Sequence, residues 1–332
     1  MGNHDLPLYV GVDVGGTNIT TALVREDGDI IERNKNRTPR QGTPEDALNA
    51  IIQTIDELLE DAEVPPGELA AVGLTVPGVV NPDEGLVVVT PNMNLSGLHA
   101  VEPAEEHFGV PVVLGNDVNV GTLGESWLGA ARGADSVVGM FIGTGIGGGV
   151  IQGGRLVSGA RLAAGEIGHI VMEIDGPLCG CGNRGCLEAL ASKTAIARDI
   201  RDAAAAGRET ALTQIMGGDL SRRLKSKPLK KALKKKDPLV TEVMAKASRV
   251  IGFACLTVRH LLDPEVIVIG GGVMEACADF VMPIVNEVVE GDKLPGARPG
   301  GRVVPSELED DAGVLGAVAL ARDAVGRWPD AE

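Results

Sequence analysis

The chain has 332 residues, a net charge of −16, 44% hydrophobic and 2% aromatic residues, and no apolar run long enough to span a bilayer. That length allows two domains with aliphatic cores, while the charge opposes nucleic acid and anionic membranes as partners. The scarcity of aromatics also argues against stacking platforms for single-stranded nucleic acid. The start, Met1-Gly2-Asn3-His4-Asp5, has neither the basic nor the apolar region of a secretory leader, and Leu6 stands where a myristoylation signal needs Ser or Thr. With five cysteines, an odd number, this predicts a reducing, cytoplasmic setting.

In chain order, residues 9–12 read as a strand that runs into Asp13-Val14-Gly15-Gly16-Thr17-Asn18, and residues 19–24 as the return strand of a hairpin. Residues 44–62 carry helix marks: Thr43 as cap, Pro44 at the first position, and Leu48, Ile51, Ile52, Ile55, Leu58 and Leu59 on one face. Residues 70–74 form a buried strand before Pro77-Gly78, and residues 110–114 another before Gly115-Asn116-Asp117. A helix is predicted after Asn119, through Trp127 and Leu128.

Residues 137–142 then open a second cycle of strand, Gly/Thr turn (Gly143-Thr144-Gly145-Ile146-Gly147-Gly148-Gly149) and strand. The echo of residues 9–24 predicts an internal duplication. A helix through 256–262 closes at Asp263-Pro264, a short apolar strand at 266–269 enters Gly270-Gly271-Gly272, and residues 312–327 read as a final amphipathic helix. Alternating strands and helices make the class α/β. Residues 222–236 hold a run of Arg and Lys interleaved with Leu224, Leu229 and Leu233, read as a solvated helix face, with a polyanion-docking strip as the minor reading.

Three glycine-rich turns thus follow strands, at 13–18, 143–149 and 270–272. Turns without side chains present backbone N–H groups to phosphate oxygens. Thr17, Asn18 and Thr144 add hydroxyl and amide donors, and Asp13 is placed to hold Mg²⁺ directly or through water. No Gly-x-x-x-x-Gly-Lys-Ser/Thr occurs, which excludes a P-loop. Gly143, Gly145 and Gly148 satisfy Gly-x-Gly-x-x-Gly, but Val150-Ile151-Gln152 reads as strand where a dinucleotide fold needs a helix.

The most specific stretch is 165–188. Cys179, Cys181 and Cys186 lie within a few residues, and His169 precedes them at a distance a short loop can fold across. One imidazole and three thiolates complete a tetrahedral Zn²⁺ set with no position for water, so a structural ion is expected ahead of disulfides or a chance cluster. Glu166 and Glu188 flank the ligands, and rigidly held carboxylates suit the hydroxyls of a sugar.

Together these residues resemble the ROK family of sugar kinases and repressors over nearly the whole chain. Residues 13–18 resemble its first phosphate motif, 143–149 the second, 266–272, with Gly271 and Gly272, the adenosine motif, and 165–188 the zinc signature. The resemblance implies an actin-like, ribonuclease-H-type fold, with duplicated α/β domains around a cleft where sugar and ATP meet. The domains are expected at 1–117 plus 312–332 and at 118–311. It implies that Asp117 is the catalytic base, the alternative being a helix N-cap. It also implies sugar contacts from Gly78, Asn92, Asn116, Asp117, Glu166, His169 and Glu188, and phosphate contacts from Asp13, Gly15, Gly16, Thr17, Asn18, Thr144 and Gly145. Taken singly, Glu188 is also readable as a first-turn helix carboxylate and Asn92 as a turn residue after Pro91.

Many relatives carry an aromatic residue after an Asn-Leu-x-Gly turn. Here Asn94-Leu95-Ser96-Gly97 leads to Leu98-His99, which leaves the sugar preference open. The expectation is an ATP- and Mg²⁺-dependent glucokinase acting on the 6-hydroxyl, in a homodimer or homotetramer. N-acetylmannosamine, N-acetylglucosamine or fructose as acceptor, or polyphosphate as donor, are the alternatives. A sugar-responsive repressor is expected less, since family repressors add an N-terminal helix-turn-helix and the first strand here begins by Tyr9.

Overall fold

The computed structural model describes residues 6–90, 93–294 and 301–327. In chain order the first elements are β1 (Leu8–Val14), β2 (Asn18–Arg25), β3 (Ile30–Arg37), α1 (Pro44–Asp61), β4 (Leu69–Val76), β5 (Val79–Asn81), β6 (Leu86–Val89), β7 (Leu98–His99), α2 (Val101–Phe108), β8 (Val112–Asn116) and α3 (Asp117–Trp127). There follow β9 (Val137–Ile142), β10 (Ile146–Gln152), β11 (Arg155–Leu156), α4 (Leu187–Ala191), α5 (Lys193–Ala205), α6 (Ala211–Ile215), α7 (Ser226–Lys234), α8 (Pro238–Leu262), β12 (Val266–Gly270), α9 (Gly272–Glu290), β13 (Arg302–Pro305) and α10 (Ala312–Ala324). By contacts the chain divides into one unit of residues 1–135, 149–164 and 310–332 and a second of 136–148 and 165–309. No helix among the described residues is long and apolar enough to cross a membrane.

The predicted duplication is visible in the strand orders, β3-β2-β1-β4-β8 and β11-β10-β9-β12-β13. In each sheet a hairpin strand sits beside a central strand that pairs in parallel with the next: β1 pairs antiparallel with β2 and parallel with β4, and β9 and β13 both lie parallel to β12. Each order carries the same crossover, so the repeat is one of topology rather than of spelling.

Alternation along the strands of the first unit separates two faces. Val10, Val12, Val14, Ile19, Leu23, Val72, Leu74, Val76, Val112 and Leu114 enter one core with Leu48, Ile51, Ile55 and Leu58 of α1. Thr43 caps α1 through a reciprocal capping box with Asp46, as the Thr-Pro start predicted.

The opposite face is cut away for α10. Gly11 and Gly73 are paired across β1 and β4. A Cβ at Gly11 would stand 2.1 Å from the carbonyl oxygen of Val314, and one at Gly73 2.0 Å from that of Ala317. The α10 backbone therefore lies directly on the sheet. Gly316 repeats the device, since a Cβ there would stand 1.9 Å from the carbonyl oxygen of Val120 in α3. Helix α10 is consequently buried nearly all round, with Val314, Leu315, Ala317, Val318, Ala319 and Ala321 inside, where the sequence predicted an amphipathic face. Helix α3, which the sequence reading assigned to the larger domain, packs against α10 within the first unit.

In the second unit the long helix α8 packs on α9, and α4 and α5 pack on α8. Helix α8 ends at Asp263 in the left-handed conformation before Pro264, where the sequence placed its close.

Candidate active site

In the first unit the candidate side chains stand at the carboxyl ends of β1, β4 and β8, where open parallel sheets present their ligands. Asp13 pairs with Thr75 across β1 and β4, and Thr75 donates its hydroxyl to Asp13 Oδ1 at 3.3 Å. Gly313 of α10 packs on the same carboxyl group, since a Cβ there would lie 2.9 Å from Asp13 Cγ. Burial raises the Asp13 carboxyl above its ordinary range, Asp310 adds to the rise, and the Thr75 hydrogen bond opposes it. After Asp13 the chain turns through Gly15, Gly16 and Thr17. Gly15 N–H donates to Asn18 C=O at 2.9 Å, Thr38 Oγ1 donates to Gly15 C=O at 2.5 Å, and nothing lies within 4 Å of the Gly16 Cβ position. The turn is held at its base and open at its tip.

Helix α3 begins at Asp117, one turn earlier than its apolar pattern indicates, and its N-cap is Asn116. Asn116 Oδ1 accepts from the N–H groups of Val118 at 3.0 Å and Asn119 at 3.1 Å, while its Nδ2 donates to Gly78 C=O at 2.8 Å and to Asp117 Oδ1 at 3.1 Å. The cap alternative raised for Asp117 therefore belongs to Asn116, whose whole amide is occupied with holding Asp117 and the Pro77-Gly78 turn. Gly78 has φ +106°, and a Cβ there would stand 2.1 Å from Val89 C=O. Burial and then the neighbouring charge of Asp13 push the Asp117 carboxyl up to about 6, against hydrogen bonds from Val118 and Asn116. A carboxylate tuned toward neutrality is suited to take a proton at physiological pH. Asn92, an expected sugar contact, lies outside the described residues.

In the second unit, residues 169–186 fold back as an irregular hairpin with bridges between Val171 and Cys186 and between Leu178 and Arg184. Gly182 at φ +92° and Gly185 at φ +73° make the reversals. A Cβ at Gly185 would overlap Glu173 C=O at 1.6 Å, so only glycine fits there. The hairpin assembles the predicted donors: one ligand atom each from His169, Cys179, Cys181 and Cys186 lies within 4.8 Å of every other. Cys179 Sγ stands 3.7 Å from His169 Nδ1, and Cys181 Sγ 3.8 Å from Cys186 Sγ. A tetrahedral zinc with Zn–S arms of about 2.3 Å sets thiolates about 3.8 Å apart. The spacing fits that ion and is far too wide for a disulfide, which needs about 2 Å. His169 Nε2 then points away from the thiols, 3.8 Å from Glu166 Oε2, and Glu166 is exposed.

Glu188 has a second employment that the sequence did not reveal. Its Oε2 accepts from Ile146 N–H at 3.0 Å and would lie 2.3 Å from a Cβ on Gly145, while Cys179 Sγ lies 3.6 Å from its Oε1. One carboxylate thus ties the 143–149 turn to the cysteine hairpin. Gly145 is glycine because that carboxylate occupies the space.

Gly271, at φ +85°, approaches the backbone of Ile142, which brings the 270–272 turn beside the 143–149 turn. Gly272 starts α9. Thr144 is exposed and its hydroxyl accepts from Arg223 Nη2 at 2.9 Å. The sequence places Arg223 on a solvated face. That holds for Lys227, Lys231 and Lys234 of α7, where Leu229 and Ala232 supply the buried stripe, but Arg223 precedes the helix and turns to Thr144. Lys193, next to this group, carries one local signal in the sequence, its place directly after the buried Ser192 cap of α5.

A topology used twice, with glycine turns after the central strands and a carboxylate at a strand end, defines the actin-like ATPase fold. The profile described as the ROK family matches residues 9–324, and the chain belongs to that family. It is 34% identical to a glucokinase of Thermotoga maritima over 96% of this chain and 98% of the other. A structure described as a ROK family glucokinase from Streptomyces griseus in complex with glucose and AMPPNP superposes with a TM-score of 0.79. It is 33% identical and covers 95% of this chain and 99% of that one. An N-acetylglucosamine repressor of Escherichia coli O157:H7 is 31% identical over 95% of this chain and 75% of the repressor.

Proposed function

We propose that the protein is an ATP-dependent glucokinase that transfers the γ-phosphoryl group of Mg-ATP to the 6-hydroxyl of glucose. The observation that carries this is Asp117, a carboxyl raised to about 6 and fixed by Asn116 at the end of β8, in a chain a third identical to glucokinases along nearly its full length. Phosphoryl transfer asks the protein mainly for positioning and charge neutralisation. Asp117 accepts the proton of the attacking hydroxyl. Gly78 and Asn116 set its position, and Asn92, Glu166, His169 and Glu188 contact the other hydroxyls.

The N–H groups of Gly15, Gly16 and Gly145, with Thr17, Asn18 and Thr144, receive donor phosphates, and Gly271 and Gly272 leave room for the adenosine. Mg²⁺ neutralises phosphate charge. Asp13, a carboxyl raised by burial beside a second carboxyl, is the residue that would hold it. His169, Cys179, Cys181 and Cys186 hold a structural zinc. The protein works in the cytoplasm as a homodimer or homotetramer, which sedimentation of the purified chain checks.

A coupled assay over glucose, fructose, N-acetylglucosamine and N-acetylmannosamine, with ATP and polyphosphate as donors, tests the reading. Glucose with ATP is expected to give the highest kcat/KM. Turnover of none of the sugars would defeat it, and preference for an N-acetylhexosamine would move the acceptor while keeping the chemistry. The likeness to a repressor motivates a gel shift with operator-like DNA, in which no retardation is expected.

A further inference from the structure

Beside the 143–149 turn the second unit carries a cavity of about 150 Å³, lined by Thr144, Lys193, Thr194, Arg201 and Arg223. Three of these side chains are cationic in a chain of net charge −16. The arrangement is built by hydrogen bonds rather than left loose. Lys193 N–H donates to Gly143 C=O at 3.0 Å and Thr194 Oγ1 to Thr144 C=O at 2.7 Å, which fastens the first turn of α5 to the glycine turn. Arg201 donates from Nε to Leu220 C=O at 2.7 Å and from Nη2 to Arg222 C=O at 3.2 Å. That fixes the segment before α7 and so the position of Arg223, which reaches Thr144 Oγ1 at 2.9 Å.

Arg201 is therefore engaged with carbonyls, whereas Lys193 and Arg223 make no salt bridge among the described residues. Burial and then Arg223 lower the affinity of Lys193 for its proton, and only Glu275 acts the other way. Two cations held together, with Lys193 half-buried, are stabilised by an anion between them. The overall negative charge does not oppose such a ligand strongly, because charges farther than about 8 Å are screened at physiological salt while contacts in the cavity are not. The volume is too small for a whole nucleotide, since pockets for drug-sized ligands span roughly 300–1,000 Å³.

We propose that this cavity takes the phosphate chain of the phosphoryl donor, with Lys193 and Arg223 as its charge ligands and Thr144 as the shared hydroxyl. The proposal rests on the hexose-kinase reading for the identity of the donor, but its geometry lies wholly within the second unit. Arg223 holds Thr144 before the donor arrives and exchanges that hydroxyl for phosphate oxygens, which a planar guanidinium receives in pairs.

The test uses the full chain with Lys193→Met, Arg223→Gln, the double variant, and Lys193→Arg, which keeps the charge. Binding of inorganic tripolyphosphate and of adenosine is measured by calorimetry, and KM for ATP and glucose by steady-state kinetics. Each neutral substitution is expected to weaken tripolyphosphate and raise the KM for ATP about tenfold, and the pair about a hundredfold. Adenosine affinity and the KM for glucose should stay within about twofold, and Lys193→Arg within about threefold of wild type. A double variant with wild-type tripolyphosphate affinity and ATP KM overturns the proposal even if glucose is phosphorylated normally. Equal loss of adenosine and tripolyphosphate affinity overturns it in favour of a nucleoside pocket. A wild-type protein that phosphorylates no sugar, yet loses tripolyphosphate affinity in the double variant, leaves the cavity assignment standing and removes the hexose-kinase reading.

Discussion

At the scale of single residues, Asp117 is in conflict between what stability and chemistry ask of it. Burial and Asp13 push it up to about 6, so its ionised form is the costly one in the folded chain. Under the proposed reading it is the base and acts only when ionised, so kcat/KM should fall with unit slope as pH drops below about 6. Asp117→Asn should lower kcat by about 10²–10⁴-fold while leaving bound zinc unchanged, as read by steady-state kinetics and metal analysis. The same substitution has a stability signature. A carboxyl whose folded pKa lies above its unfolded value stabilises the fold fully below pH ~4, and that contribution is lost as pH rises through about 6. Above pH 6 the Asn variant should therefore be the more stable protein, by on the order of 2 kcal/mol, and the difference should vanish near pH 4. Urea denaturation at both pH values reads this; a gain that persists unchanged at pH 4 contradicts the assigned cause.

Sequence reasoning reached Asp117 through its neighbours in Gly115-Asn116-Asp117 but placed the helix start too late. Asn116 supplies the cap and its amide bridges two partners, a division of labour that spacing alone does not express.

At the scale of elements, the cysteine hairpin has little apolar interior beyond Cys179, Cys186 and Ala189, so under the proposed zinc site the ligand set would carry much of its shape. Cys181→Ser should reduce bound zinc from about one per chain toward none, lower Tm, and loosen Glu188 from Ile146. Hexose affinity should fall with the metal; a variant with wild-type affinity and no zinc would separate the hairpin from the substrate. The grouping of His169, Cys179, Cys181 and Cys186 was legible in the sequence because a metal would demand those particular atoms close together. The tie from Glu188 to the 143–149 turn was not, since a carboxylate in a first helical turn looks the same whatever it accepts from.

Helix α10 shows the opposite limit. Its apolar residues were seen, but the groove of Gly11 and Gly73 that receives its backbone lies some three hundred and some two hundred and forty residues upstream. Gly316→Ala, which drives a methyl toward Val120 C=O, should cost about 3 kcal/mol in chemical denaturation, whereas Gly16→Ala, with open space around it, should cost far less.

At the scale of the whole molecule, glucose at a hundred times its Kd should add about 2.7 kcal/mol to the native state and raise Tm. The rise should largely persist in Asp117→Asn, which keeps the other proposed binding groups and a hydrogen-bonding side chain at 117, and shrink in Cys181→Ser. Differential scanning calorimetry distinguishes the two. The likeness to full-length relatives and the repeated sheet order agree with the α/β duplication read from two glycine turns.

What the sequence determined by itself was local: a cluster of one histidine and three cysteines, glycine turns that follow strands, and the class of fold that such a series makes. Each depends on the identity of a residue and its spacing from near neighbours. Tertiary structure alone decided the electrostatic state of Asp117, the engagement of Glu188 and the approach of Lys193 and Arg223 to Thr144. Those depend on distances between atoms far apart in the chain, and desolvation and charge coupling respond to such distances rather than to residue order.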